Sequence, residues 1–532
     1  MPAQDPTRFA MVPRVDVPRS AFDVRHMHKT TIAANSLTPL YVDEVLPGDS
    51  LRQRMTALFR LSTPIVPIMD NVIVESFFFF VPYRLVWANW ERFMGEQVNP
   101  TDTTAFLVPQ VEVTDGDCVP GSMADYFGIT LNGRPESMIT VSALPWRAYQ
   151  LIWNDWFRDE DLQDLVTVET DDGPDLASEY TLHPRGKRAD YFTSARPWPQ
   201  KPINAAQMFS GAPLVPGGNM LLPQSGAPVH GIGTQNVVVA SPVTVTESGG
   251  RLINYDTHRS TGTNPLFTDA DATGVINIRV LVNDIRTAMT VQRMMEINAR
   301  GGTRYAEIVR SHFGVTSPDA RLQRPEYLGG GRSFVSINPV IQQSATGATG
   351  TTTVLGELAA TGTSVHEASF SQSFTEHGCI LGLVHVRADL SYQNGTNRMW
   401  FRRTPFDFYW PSLAHLGEQA ILSREIFSDS TPGDLDVFGY AERWSEYKWK
   451  PSRISGMFRS HLTETLDIWH LAQEIDTRPA LNSGFITDIP PFDRVLQVQT
   501  NASQQFLVDS MFENRWVRCM PMYSVPGLGP RL

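Results

Sequence analysis

A mainly β fold, interrupted by helical and long loop insertions, is what this sequence predicts, and three observations predict it. Gly and Pro contribute 38 residues each to a chain of 532, enough to punctuate it with many turns. Several runs are dense in β-branched and aromatic residues, as half-buried or buried strands require. Helical spacing of apolar residues is confined to a few short stretches, and no repeat period is visible. Hydrophobic residues at 42% and charged ones at 19% belong to a folded globular protein, and at this length a large core can be buried.

Residues 1–36 read as an extended N-terminal arm. Pro2, Pro6, Pro13 and Pro18 each fix φ and remove an amide donor, so no helix runs through them. Arg8, Arg14, Arg19, Arg25 and Lys29 outnumber Asp5, Asp16 and Asp23 by two. A basic arm can reach nucleic acid, and Arg14, Arg19, Arg25 and Lys29 are the candidate DNA-binding residues; a solvated arm has the same composition. The remainder, 37–532, is read as one discontinuous domain.

Asn71–Val81 (NVIVESFFFFV) reads as a buried strand stopped by Pro82. The period then changes: Val86, Trp90, Phe93 and Met94 fall at helical spacing and Gly95 closes the helix. Ser142–Arg158 repeats the pattern, with Ser142 as cap and Trp146, Tyr149, Ile152, Trp153 and Trp156 as an aromatic stripe for core or interface. Further helices are expected over Asn283–Arg300 and Thr303–Phe313. Strands follow at Arg332–Gln343 and Cys379–Tyr392, with shorter ones toward the C-terminus. Gly329-Gly330-Gly331 reads as a tight turn, Ser344–Ser364 as a surface loop and SVPGLGPRL as an extended tail.

Residues 201–275 differ from the rest. They hold ten Gly, seven Pro and no Trp, and only seven of 75 residues are charged. Val237–Thr246 fits a strand; otherwise this is a long turn-rich insertion, the kind that is disordered or specialised for function.

Chemistry is sparse. Gly186-Lys187 is followed by Arg188, so no phosphate-cradling loop is present, and no zincin, nucleophile-elbow or calcium-loop pattern occurs. Cys118, Cys379 and Cys519 are far apart, which excludes a disulfide framework and a cysteine zinc site and fits folding in a reducing cytoplasm. His26-Met27-His28 has the spacing of two metal ligands, but no activated nucleophile accompanies it. No catalytic residue, metal or cofactor is expected. Only five of the 44 cations are Lys, a bias that suits phosphate and carboxylate recognition and equally marks a GC-rich genome. A net charge of -12 gives no global attraction for nucleic acid. Val72–Trp87, the most apolar stretch, is too short and too charged to span a bilayer, and the first twenty residues have no signal-peptide pattern.

Long collinear blocks carry a resemblance. HKTTIAANSLTPLYVDEVLPGDS (His28–Ser50), TPIVPIMDN, FFFFVPYRLVWANWERFMGE, RAYQLIWNDWFRDEDL, RGKRADYFTSARPWPQK, ARGGTRYAEIVRSHFGVTSPDARLQRPEYLGG, FTEHGCILGLVHVRADLSYQNG, FGYAERWSEYKWKPSRISGMFRS and MPMYSVPGLGP together cover nearly the whole chain. They resemble the major capsid proteins of gokushoviruses, within the Microviridae. His26-Met27-His28 departs from the commoner Ser-containing version. The resemblance implies an eight-stranded viral jelly roll with long insertions, self-assembly into a T=1 icosahedral shell, and a circular single-stranded DNA genome inside. It implies a protrusion at the threefold axes built from the 201–275 insertion and involved in host attachment. Implied partners are further copies of the chain, the DNA genome, an internal scaffolding protein, a pilot or minor spike-type protein and a host surface receptor. Implied locations are the virion and, during assembly, the host cytoplasm. The alternatives are a receptor-binding module, which can coexist with the shell role, and an enzyme on a jelly-roll scaffold, for which no residue set is found.

Overall fold

The computed structural model describes residues 19–96, 99, 101, 103–131, 138–201, 244–248, 251–255, 289–297, 311, 323–343, 356, 358–497 and 504–523. The chain divides into two compact units, residues 1–200 with 298–532, and residues 201–297.

The larger unit is built on strands β1 (Ser20–Ile32), β2 (Thr38–Val45), β3 (Ser50–Leu61) and β4 (Val72–Pro82). Short strands β5 (Gln110–Thr114), β6 (Met138–Ser142) and β7 (Asp175–Leu176) form a small sheet of their own. In the smaller unit, β8 (Thr244–Ser248) and β9 (Arg251–Tyr255) make an antiparallel hairpin, and residues 289–297 are helical. The larger unit resumes with β10 (Glu326–Phe334), β11 (Ser336–Ile341), β12 (Leu358–Ser373) and β13 (Gly378–Ala388). It ends with the pair β14 (Glu418–Leu422) and β15 (Val437–Glu442) and the long β16 (Phe506–Arg518).

Two antiparallel sheets carry the fold. One has the order β1-β16-β3-β12-β11 and the other β10-β4-β13-β2. Leaving out β11, successive strands alternate between sheets except at β4 and β10, which pair side by side in the four-stranded sheet, the jelly-roll order, and the first strand pairs with the last from Ser20↔Arg518 to Ile32↔Phe506. The long insertions, 83–325 and 389–505, leave between β4 and β10 and between β13 and β16.

The Phe77–Phe80 run shows how sequence sets the layers. Alternate side chains of a strand point to opposite faces. Phe78 meets Phe370 (ring centroids 5.2 Å apart) and Phe80 meets Phe374 (4.7 Å), both between the sheets. Phe77 meets Phe157 (5.3 Å) and Phe79 meets Trp156 (5.4 Å), on the opposite side. Strand β13 is buried at every residue, with Ile380, Val384 and Val386 in the inter-sheet core and Cys379, Leu381 and Leu383 in a second core. The lid of that second core is part of the first insertion. It comprises α1 (Trp90–Phe93), α2 (Met123–Tyr126) and α3 (Leu144–Ile152), the last continued by a π-helical turn over Trp153–Phe157.

Several expectations hold and several need correction. Val72–Pro82 and Gly378–Ala388 match the expected buried strands closely. The helix expected around Val86–Gly95 shrinks to the single turn of α1, because Tyr83–Leu85 first form a 3-10 turn. Ala143, not Ser142, is the N-cap of α3; Ser142 Oγ instead accepts the Leu144 amide at 3.4 Å. Of the helix expected over Asn283–Arg300, residues 289–297 are helical; the ends, and Thr303–Phe313 apart from Ser311, lie outside the described residues. Val237–Thr246 lies outside them except for its last three residues, which open β8, and so does the whole of the tail SVPGLGPRL. Residues 358–364, expected in a loop, extend β12, whose two-residue alternation carries on through Ala360, Gly362 and Ser364. Toward the C-terminus β14 and β15 are short, whereas β16 runs for 13 residues.

The glycine triplet is the clearest correction. Gly329-Gly330-Gly331 is not a turn but the interior of β10, with a bulge between Tyr327 and Gly329. A Cβ at Gly330 would lie 2.1 Å from Ser76 O, and one at Gly331 2.3 Å from Glu367 O. The glycines let β10 lie close to its sheet partner β4 and to β12 of the facing sheet at the same time.

His366 of β12 is buried between the sheets. Its Nδ1 lies 2.8 Å from Ser333 Oγ on β10 and its Nε2 2.7 Å from Ser76 Oγ on β4. Burial pushes this imidazole, and that of His183, down to about 4, and that of His385 well below its ordinary range. These groups are neutral in the folded chain at pH 5 but bind protons once unfolded, so stability is lost as pH falls from about 6.5 toward 4. His366 alone accounts for about 3 kcal/mol of that loss, at about 1.4 kcal/mol per pH unit. Urea titrations between pH 6.5 and 4.5 are expected to show a shallower pH slope for His366→Gln, which keeps a donor and an acceptor; an unchanged slope would contradict the assignment.

Candidate nucleic-acid interface

The candidate arm cations fall on or beside an edge strand. Register places Arg25 opposite Glu513 and Lys29 opposite Asp509 across the β1/β16 ladder. Arg25 Nε lies 3.8 Å from Glu513 and Lys29 Nζ bonds Asp509, with both cations largely exposed. Arg19 donates to Gly48 O and, at 3.2 Å, to Ser50 Oγ. Arg14 lies outside the described residues. The three described cations therefore each hold an intrachain partner, and exposed pairs of this kind contribute little to stability.

Alternation along the ladders extends this face. Odd positions of β1, even positions of β3 and odd positions of β16 share the outer side of the five-stranded sheet. Arg52, Arg54 and Arg60 of β3 and Arg515 of β16 join Arg25 and Lys29 there. Asp23, Asp509 and Glu513, with Glu367 of β12, supply fewer negative charges. Arg54 reaches Glu367 at 3.3 Å and Arg515 reaches Asp23 at 4.0 Å. Arg52 and Arg60 are exposed and have no carboxylate partner among the described residues. They are the cations on this face most available to a phosphate. The sequence reading passed over them, although the apolar–polar alternation of SLRQRMTALFRL signals a one-sided strand with Arg on its wet face.

The two histidines of the triplet sit at even positions of the same strand, on the side of Phe512 and Tyr41, whereas Met27 faces outward and is 67% exposed. His26 stacks on Phe512 (centroids 5.0 Å apart) and Tyr41 (5.9 Å), and His28 Nδ1 lies 3.0 Å from Leu40 O. These contacts make both rings part of the sandwich edge. Among the described residues no group of three His, Cys, Asp or Glu side chains is placed to hold a metal.

A largely buried charge cluster joins both insertions to the four-stranded sheet. Glu75 of β4 is met by Arg185, Arg387 (3.4 Å) and Arg332 (3.8 Å), and Arg387 also faces Asp488 at 3.9 Å. Burial alone would raise the Glu75 carboxyl, but the guanidinium groups of Arg387, Arg185 and Arg332 hold it below its ordinary range. Burial lifts Asp488 to about 6 against the pull of Arg387, Lys187 and Arg185. Arg185 further lies over the Phe77 ring, 4.7 Å from its centroid. This cluster locks layers together; nothing in it is arranged as a nucleophile with a base.

With a jelly-roll sandwich, two long insertions and an Arg-bearing sheet face in place, comparison with known proteins decides the class. The family model described as "Capsid protein (F protein)" matches residues 10–528. The chain belongs to the phage capsid F protein family. It is similar to capsid protein VP1 of Bdellovibrio phage phiMH2K, 41% identical with 97% of each chain covered. It is also similar to capsid protein VP1 of Chlamydia phage 1, 38% identical over 99% of this chain and 98% of the relative. A third relative, capsid protein VP1 of Spiroplasma virus 4, is 34% identical over 98% and 97%. The gokushovirus resemblance is thereby borne out: this capsid protein is a structural component of a phage particle and not an enzyme.

For this capsid protein the outer sheet face makes a measurable prediction. Each phosphate contact to a single strand adds about 0.7 to the slope of log affinity against log salt. Replacing Arg52 and Arg60 by Gln is expected to reduce that slope by about 1.4 for a single-stranded oligonucleotide, while leaving base preference unchanged. An unchanged slope would place the DNA contact elsewhere.

Proposed function

We propose that the chain assembles into a T=1 icosahedral shell around a circular single-stranded DNA genome. The observation that carries this reading is the eight-stranded sandwich within a family match spanning residues 10–528. Two packed sheets make a stiff wall element, and the insertions leave the strands free to keep one geometry while the loops vary. In this reading the wall turns the five-stranded sheet toward the genome. Arg52 and Arg60, with Arg14, Arg19, Arg25 and Lys29, then contact phosphates without reading sequence.

Residues 201–275 serve host attachment in the same reading. Their low charge and turn-rich composition, and the separation of 201–297 as a compact unit, support a role apart from the wall. Assembly in the host cytoplasm draws on a scaffolding protein, and the finished virion carries a pilot or minor spike-type protein and meets a host receptor.

Sedimentation velocity of the purified chain, with and without its scaffolding partner, tests the shell. Shell-sized particles are expected in at least one condition, and a chain lacking 201–275 is expected to form shells that no longer adsorb to host cells. Monomer in every condition would contradict shell building; loss of shells on deleting the insertion would make that segment structural.

A further inference from the structure

Among the described residues, the second insertion of the larger unit leaves a group of large aromatic side chains uncovered. Trp400, Phe406, Phe408, Tyr409, Trp410 and Trp449 are each 48–70% exposed. Six half-exposed aromatic side chains offer roughly 600 Å² of apolar area. That is large for the uncovered surface of a single chain and comparable to one side of a specific protein interface.

The surface is built, not frayed. Arg402 bridges its two stretches, lying 5.5 Å from the Phe408 centroid and 4.3 Å from the Tyr447 centroid, and pairs with Glu446 at 3.2 Å. Trp444 holds a left-handed φ of 69°, fixed by its Nε1 bond to Leu413 O at 3.0 Å and by an edge contact with Tyr409. Around this frame Arg403, Lys450 and Arg453 are exposed and have no carboxylate partner among the described residues. The aromatic side chains thus have three such cations close in sequence, while Asp407 among them accepts from the Arg403 and Thr404 amides, and aromatic and Arg anchors of this kind are enriched at interfaces.

A complementary surface exists on the same chain. Residues 103–180 contain fifteen Asp and Glu against three Arg, a net -12 that equals the charge of the whole protein. Two acidic straps cross α3 side by side: Gln150 Nε2 donates to Glu179 O at 3.0 Å and, one turn on, Asn154 Nδ2 donates to Val166 O at 2.7 Å. Asp164 and Glu179 on these straps are exposed, Glu169 is half-exposed, and none has a cationic partner among the described residues. Leu165 and Leu176, 67% and 55% exposed, sit among them, with Leu176 in register with Glu112 of β5.

We propose that the aromatic–cationic surface of one copy docks on this acidic, leucine-bearing surface of a second copy. The contact joins different patches of two identical chains, so it propagates head to tail and closes when the rotation between copies divides a full turn. The aromatic side chains cover the leucines, and the charge match sets register and suppresses wrong pairings. A single strand of DNA is the other occupant such aromatics suit, but it does not account for the matching acidic surface. The proposal rests on the shell-building reading.

Charge reversal tests it. Arg403→Glu, Lys450→Glu and Arg453→Glu together form one variant; Asp164→Lys, Glu169→Lys and Glu179→Lys form the other. None of the six side chains is buried or has a partner of opposite charge among the described residues, so each variant is expected to keep the wild-type thermal transition as a monomer. Under conditions where the wild-type chain forms shells, each variant is expected to lose at least about tenfold of its shell-sized fraction. The sextuple variant is expected to regain it. Normal shells from either variant, including shells deficient only in DNA, would overturn the proposal, and so would folded variants whose combination fails to assemble. Failure of the wild-type chain to form shells counts instead against the shell-building reading.

Discussion

Burial of β4 and β13, the central strands of the four-stranded sheet, on both faces is the constraint on which the rest of the structure depends. A strand such as β13, with no exposed residue, cannot be completed by a two-layer sandwich alone. Phe77 and Phe79 have to be covered, and the first insertion supplies the cover through α3, Trp156 and Phe157. Arg147, fully buried within that lid, is held by a bidentate pair to Asp175 at 2.8 and 2.6 Å. Such a charge is tolerated only with its hydrogen bonds met. The insertion therefore belongs to the folded core, even though it leaves the sandwich between two strands.

Charge is distributed with comparable economy of position. The acidic surplus gathers in residues 103–180, and the remainder of the chain is neutral overall. Cations without a carboxylate partner among the described residues include Arg52 and Arg60 on the outer face of the five-stranded sheet and Arg403, Lys450 and Arg453 beside the aromatic side chains of the second insertion. A global net charge of -12 thus conceals surfaces of opposite sign on one molecule. For an assembling protein this separation matters more than the total, because long-range attraction and register depend on local potential.

Legibility in the sequence followed the physics of each element. Val72–Pro82 and Gly378–Ala388 were readable because strands buried on both faces become continuous apolar runs. Strand β3 was readable in principle from its alternation, yet half its residues are polar and no apolar run marks it. The glycine triplet misled because its cause is a close approach of Ser76 and Glu367, more than thirty residues away in either direction. The aromatic stripe of α3 was legible as core or interface, and only its neighbours show that it is core. Arg25 and Lys29 were visible as cations, but their partners Glu513 and Asp509 lie at the far end of the chain. The family was legible because its matching blocks run collinearly through almost the whole sequence.

The most direct test of the account is an electron-microscopy reconstruction of the assembled particle at side-chain detail. The account predicts a wall in which the five-stranded sheet faces the lumen, with Arg52 and Arg60 against density for the genome and both insertions directed away from it. A particle with that sheet on its outer surface, or with Arg52 and Arg60 sealed between subunits, would contradict it.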